Sequence, residues 1–152
     1  MNPPPTVFLL VEDEPSDAEF LQLAFSRADG GDRVYTVGNG QEAVIYLTGE
    51  SHRDRDQFPL PDVIITDLKM PHMNGLELLE WLHNHETWRR VPRIVLTSST
   101  ANSDVATAHA FGAAAYLVKP VEVRELRAIA KAMSDFWRYA LRPALPASAH
   151  TK

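Results

Sequence analysis

Five short apolar runs recur along the chain, each followed by a stretch with helical spacing, and this alternation restricts the fold more than any other feature. Thr6-Val7-Phe8-Leu9-Leu10-Val11 is continuously apolar after its first residue, as suits a strand buried on both faces of a parallel sheet. Pro15 and Ser16 then open a segment with Ala18, Phe20, Leu21, Leu23, Ala24 and Phe25 at amphipathic spacing, ended by Asp29-Gly30-Gly31. The same reading predicts strands over Arg33–Val37, Asp62–Thr66, Pro92–Leu96 and Ala115–Val118. It predicts helices over Gln41–Leu47, Gly75–His85, Ser103–Phe111 and Val121–Tyr139.

Five strands alternating with five helices imply an α/β fold, a parallel sheet covered by helices on both faces. Right-handed crossovers leave few topologies, and the order 2-1-3-4-5 is expected. The 152 residues are the size of one domain and can bury a core without staples. The domain is read as 6–139, with disordered ends expected at 1–5 and 140–152. Residues 48–61 are polar and long for a connecting loop, and are read as a surface excursion whose charge run Arg53-Asp54-Arg55-Asp56 is solvated. The six histidines are scattered and none is assigned a metal, and the three tryptophans are read as packing residues.

The composition removes several classes of function. Without cysteine there are no disulfides, thiolate metal sites or thiol nucleophiles. A net charge of -5 without a basic stripe disfavours nucleic-acid binding. Val7–Val11 is too short to span a bilayer, and the ends carry neither a signal-peptide pattern nor a lipidation signal. A cytoplasmic protein without membrane contact is expected.

In an open sheet of order 2-1-3-4-5, ligands bind beyond the carboxyl ends of strands one and three, where the winding reverses. Glu12 and Asp13 lie just past strand one and Asp67 just past strand three; Thr97 and Lys119 follow strands four and five. Carboxylates gathered in one crevice repel, by about 4 kcal/mol per pair at about 4 Å before the solvent relaxes. A hard divalent cation relieves this, and oxygen ligands without histidine or cysteine point first to Mg²⁺. Because Mg²⁺ takes only one or two carboxylates, one stays free as a nucleophile toward a phosphoryl group. The cation, Lys119 and the Thr97 hydroxyl would stabilise the charge on its oxygens.

Leu9-Leu10-Val11-Glu12-Asp13-Glu14, Thr66-Asp67-Leu68-Lys69-Met70-Pro71 with Asn74-Gly75, Leu96-Thr97-Ser98 and Tyr116-Leu117-Val118-Lys119-Pro120 together resemble the receiver domain of two-component response regulators. The likeness covers roughly 6–138. The chemotaxis member of that family has the same strand order, so the resemblance carries part of the fold expectation, a flavodoxin-like doubly wound (βα)5 domain. It implies that Asp67 is the phosphoacceptor, served by a sensor histidine kinase. It implies Mg²⁺ bound by Asp13 directly, by Glu12 directly or through water, and by Asp67 and the backbone carbonyl of Lys69. Lys119 would pair with the phosphoryl group and Thr97 would move to bond it. Tyr116 would turn inward with Thr97, and Ser98 would leave room for the phosphate. The Lys119-Pro120 bond is expected to be cis. Lys69 and Ser99 take the two variable positions beside the phosphate, and Lys69 there predicts slow self-dephosphorylation. The long 48–61 loop and the Phe136-Trp137 pair are also similar to single-domain regulators that serve phytochrome kinases.

One at a time, these residues have plainer readings. Glu12 and Asp13 suit helix caps, Thr97 a strand end, Lys119 a solvated loop and Tyr116 the core. Their joint placement after successive strands favours the site. An aspartate-nucleophile phosphatase of the haloacid dehalogenase type is the enzymatic alternative. It would carry a second aspartate two residues after the nucleophile, where this chain has Lys69. A receiver that binds without phosphorylation is the third reading, and the intact Asp13, Asp67, Thr97 and Lys119 argue against it. The chain is thus expected to be a regulated binding module rather than an enzyme, with no nucleotide site. Its output, through another protein, would follow a change in the surface of helix four, strand five and helix five. Val121, Val123, Leu126, Phe136, Trp137 and Leu141 offer more apolar surface there than one helix face needs, which suggests a downstream partner or a second copy of the chain.

Overall fold

A strand that is apolar at successive positions can be buried only between two layers, because neighbouring side chains point to opposite faces. The computed structural model, which describes residues 4–28, 31–49 and 54–140, shows this in β1, Val7–Val11. Leu9 and Val11 face one apolar cluster, and Phe8 and Leu10 face the other. β2 (Arg33–Val37), β3 (Val63–Thr66), β4 (Arg93–Thr97) and β5 (Ala115–Val118) complete a parallel sheet of order β2-β1-β3-β4-β5, as expected. α1 (Pro15–Ser26) and α5 (Val123–Tyr139) cover one face through Leu21, Phe25, Ala130 and Met133. On the other face, α2 (Gly40–Thr48) and α3 (Gly75–Asn84) pack through Ala43, Leu47, Leu78 and Leu82, and α4 (Asn102–Ala110) adds Ala108.

The helices begin where side chains satisfy their free N–H groups. Glu14 accepts from Ser16 N–H before α1, with Pro15 at the first helical position. Asn39 accepts from Glu42 N–H before α2. Before α3, Asn74 and Glu77 form a reciprocal capping box.

Several local expectations need correction. The Lys119-Pro120 bond is trans, since no described peptide bond is cis, and trans is the lower-energy isomer of an X–Pro bond. α5 starts at Val123 rather than Val121, and a 3₁₀ turn, Trp88–Arg90, stands before β4. Asp62 stays outside β3 because its carboxylate accepts the Val7 N–H at 2.8 Å. Arg55 is not a solvated loop residue. Its guanidinium donates to the carbonyls of Tyr46 and Leu47 at 2.9 and 2.7 Å, closing the C-terminal end of α2, while Phe58 and Leu60 pack on the core. Arg53 and the ends 1–3 and 141–152 lie outside the described residues.

Candidate functional site

The strand register sets the site. Val11 lies beside Thr66 across β1 and β3, so Glu12 and Asp67 leave the sheet at the same level. The ladder runs one residue further: Glu12 N–H donates to Val37 O and Asp67 N–H to Val11 O, each at 3.0 Å. On the far side Thr97 is level with Val118, and Lys119 N–H donates to Thr97 O at 2.7 Å. Five predicted residues are thereby brought to the crevice where winding reverses: Glu12, Asp13, Asp67, Thr97 and Lys119.

Asp67 is held at both oxygens. Oδ1 accepts the Leu68 N–H at 2.6 Å and Oδ2 accepts from Lys119 Nζ at 2.9 Å. Its backbone is clamped too, because Thr66 Oγ1 donates to Asp67 O at 2.7 Å and α3 begins directly against it. A Cβ on Gly75 would stand 2.0 Å from Asp67 O, so only glycine permits that approach.

Lys119 is the electrostatic centre. Its ammonium reaches Glu12 Oε1 at 2.6 Å, Asp67 Oδ2 at 2.9 Å and Asp17 Oδ2 at 2.9 Å, using all three donors. Burial works against the charge of Lys119, but these bonds and the charge of Glu12 raise its pKa above the usual lysine value. Burial also pushes the Asp67 carboxyl up, yet the Thr97 hydroxyl, the Lys119 ammonium and the Leu68 N–H outweigh it and hold the group below the ordinary carboxylate range. Burial prevails at Glu12, only 4% exposed, and raises its pKa despite Lys119.

Nothing in the sequence marks Asp17 as part of the site. It sits in the first turn of α1, where an acidic residue is ordinarily a favourable helix-end charge. No spacing rule ties it to a lysine 102 positions away.

The remaining predicted residues lie around this centre. Thr97 is buried, and its Oγ1 accepts the Ser99 N–H at 3.4 Å. Tyr116 donates its hydroxyl to Ser99 O at 3.0 Å, so Thr97 and Tyr116 both hold the β4–α4 loop through Ser99. The Ser99 hydroxyl is committed to Asp104 of α4 at 2.6 Å. Ser98 and Lys69 are exposed.

The donor set fits a hard cation. Oxygens of Glu12, Asp13 and Asp67 lie within 4.8 Å of one another, a separation that one ion can bridge. No helix among the described residues is long and apolar enough to cross a membrane.

The model of the response regulator receiver domain family matches residues 8–131. The probable methanogenesis regulatory protein FilR2 of Methanothrix harundinacea is 30% identical over 88% of this chain and 84% of its own length. Among solved structures, the phosphorylated cyanobacterial phytochrome response regulator RcpA superposes with a TM-score of 0.83 at 29% identity, over 92% of this chain and 99% of that one. The Mn(2+)-bound form of response regulator Rcp1 does so with a TM-score of 0.77 at 26% identity, over 94% of this chain and all of that one (100%).

Proposed function

The chain belongs to the response regulator receiver domain family of two-component signalling, and from that premise we propose that Asp67 takes a phosphoryl group from a sensor histidine kinase and that the phosphate alters the surface of α4, β5 and α5. The observation that carries this reading is the state of Asp67. Its carboxylate is fixed by Leu68 N–H and Lys119 at a crevice that also holds Glu12 and Asp13.

In the transfer, one Asp67 carboxylate oxygen forms a bond to phosphorus. The bond from phosphorus to the donor's imidazole nitrogen breaks, and its electron pair leaves with the imidazole. Mg²⁺ held by Glu12, Asp13, Asp67 and the Lys69 carbonyl would offset the charge of the incoming group. Lys119 then exchanges its bond to Asp67 for one to a phosphoryl oxygen. Thr97 turns its hydroxyl to the same group and gives up the Ser99 N–H. Tyr116, tied to the Ser99 carbonyl, is released to turn inward, and the β4–α4 loop carries the change to the surface.

The kinase is proposed to be a bacterial phytochrome, in keeping with the phytochrome response regulator RcpA, and the site of action to be the cytoplasm. The proposed output is a change in affinity for a downstream protein or for a second copy of the chain. Like other receivers it would act as a binding module whose only chemistry is its own phosphorylation and dephosphorylation.

Incubation with Mg²⁺ and acetyl phosphate should label the wild type and leave Asp67→Asn unlabelled; equal labelling of the two would overturn the assignment of Asp67. With Lys69 beside the phosphate, label should persist well beyond a few seconds, and faster loss would count against the obstructing role of Lys69.

A further inference from the structure

An N-terminal turn of a helix usually satisfies itself. In a capping box the acid at the third helical position turns back to the N–H of the cap residue, as Glu77 does in α3. In α1 that position is Asp17 and the cap is Glu14, but the Glu14 N–H is already taken by Glu12 Oε2 at 3.2 Å. Asp17 turns instead toward the crevice and accepts from Lys119 at 2.9 Å. The ammonium has three donors, and Glu12, Asp67 and Asp17 use all of them.

The three carboxylates differ in what else can engage them. Glu12 and Asp67 share the cation-sized cluster with Asp13, and Asp17 does not belong to it. Asp17 is also the most exposed of the three, with 45% of its side chain accessible against 2% for Glu12 and 12% for Asp67. Its bond to Lys119 is therefore the one best solvated when broken. It also adds a fourth negative charge where an anionic phosphate donor would enter.

We propose that Asp17 is a positioning residue that acts through Lys119, occupying the third donor of the resting ammonium and restraining phosphate transfer to Asp67 until that bond is released. The inference rests on the reading of Asp67 as phosphate acceptor and adds a brake to it. Removing the Asp17 charge should free one Lys119 donor and weaken repulsion of an incoming dianion, with no loss of a residue that touches the phosphate.

The test compares wild type, Asp17→Asn and Asp17→Glu. Hydrogen exchange of the Lys119 ammonium, read by nitrogen-15 NMR on metal-free protein, should be several-fold faster in Asp17→Asn and near wild type in Asp17→Glu. With Mg²⁺ and subsaturating acetyl phosphate at low salt, Asp17→Asn should be labelled about three- to tenfold faster. That advantage should shrink near 1 M salt, where the screening length falls to about 3 Å. A purely structural role would give no such salt dependence. Unchanged ammonium exchange in Asp17→Asn, or labelling that is unchanged or slower at low salt, would overturn the proposal. If wild type itself took no label, the reading of Asp67 would fail instead. The ammonium exchange, measured without metal or phosphate, would still decide the role of Asp17.

Discussion

At Lys119 one ammonium faces three carboxylates, and the sign of its pH dependence follows from that balance. A carboxyl held low in the fold, as Asp67 is, contributes stability that is complete above its unfolded value of about 3.9 and is lost as pH falls through its folded value. An ammonium held high, as Lys119 is, contributes below about pH 10.4 and loses that contribution as pH rises through its folded value. Both contributions are present at pH 7. Lys119→Met removes them and leaves Glu12 and Asp67 in the crevice without a cation, so both carboxyls move up. The variant should be less stable at pH 7 by about 3 kcal/mol. The gap should narrow between pH 7 and pH 5 as the raised carboxyls take up protons. Urea unfolding of both proteins in the presence of a chelator measures this, and a gap that widened on acidification would contradict it. Gly75 makes a second prediction at this scale. A methyl there would overlap Asp67 O and approach Leu68 Cα to 2.7 Å, both backbone atoms that cannot rotate away. Gly75→Ala should cost more than about 2 kcal/mol and should slow labelling of Asp67 in whatever protein folds, since the backbone that carries the carboxylate must shift.

The elements differ in how openly the sequence declares them. β1 is apolar throughout and β3 is apolar up to its last residue, Thr66, so both strands were legible, and α3 starts at Gly75 as its apolar spacing predicts. The carboxylates past β1 and β3 were legible for the same reason: they are the first charges after apolar runs. Asp17, Arg55 and Arg93 were not, because their partners are distant in sequence or are backbone carbonyls, which leave no residue signal. Arg93 is the plainest case. It opens β4, yet it is only 3% exposed and its guanidinium donates to the carbonyls of Arg89 at 2.6 Å, Val91 at 2.9 Å and Phe111 at 3.4 Å. It closes the 3₁₀ turn and the end of α4 together, and burial draws its pKa below the usual arginine value. Arg93→Met should therefore destabilise by about 3 kcal/mol, since buried carbonyls lose charge-assisted bonds. Arg55→Ala, at a half-buried helix end, should cost nearer 1 kcal/mol. Thermal unfolding of the two variants checks the order, and an equal loss would show that burial at Arg93 adds nothing.

For the molecule as a whole, the phosphate matters only if it is felt at a surface, and the apolar side chains left outside the core indicate where. Val118, Val121, Val123, Phe136 and Tyr139 are exposed along the end of β5 and α5, with Val121 fully so and Phe136 at 65%. Beside them a groove of about 480 Å³ runs between β5 and α5, floored by Leu117, Ile129 and Met133 and bordered by Phe136 and Trp137. Apolar surface left exposed in this way is costly to keep in water, and an isologous pair would cover it on both copies at once. β5 connects the two regions, since Leu117 on the groove floor follows Tyr116 and Val118 precedes Lys119, the residues through which the proposed phosphate signal leaves the crevice. A ligand shifts an equilibrium only by its differential affinity for two states. A typical coupling of about 1–3 kcal/mol would strengthen self-association about 5- to 150-fold. Sedimentation velocity with Mg²⁺ and beryllofluoride, a stand-in for the phosphoryl group, should show a dimer at concentrations where the untreated chain is a monomer. Phe136→Asp should abolish the shift while leaving Asp67 labelling intact, because Phe136 lies on α5 away from the carboxylates. A monomer in both conditions at high concentration would exclude a second copy as the partner and leave the α5 surface to a downstream protein.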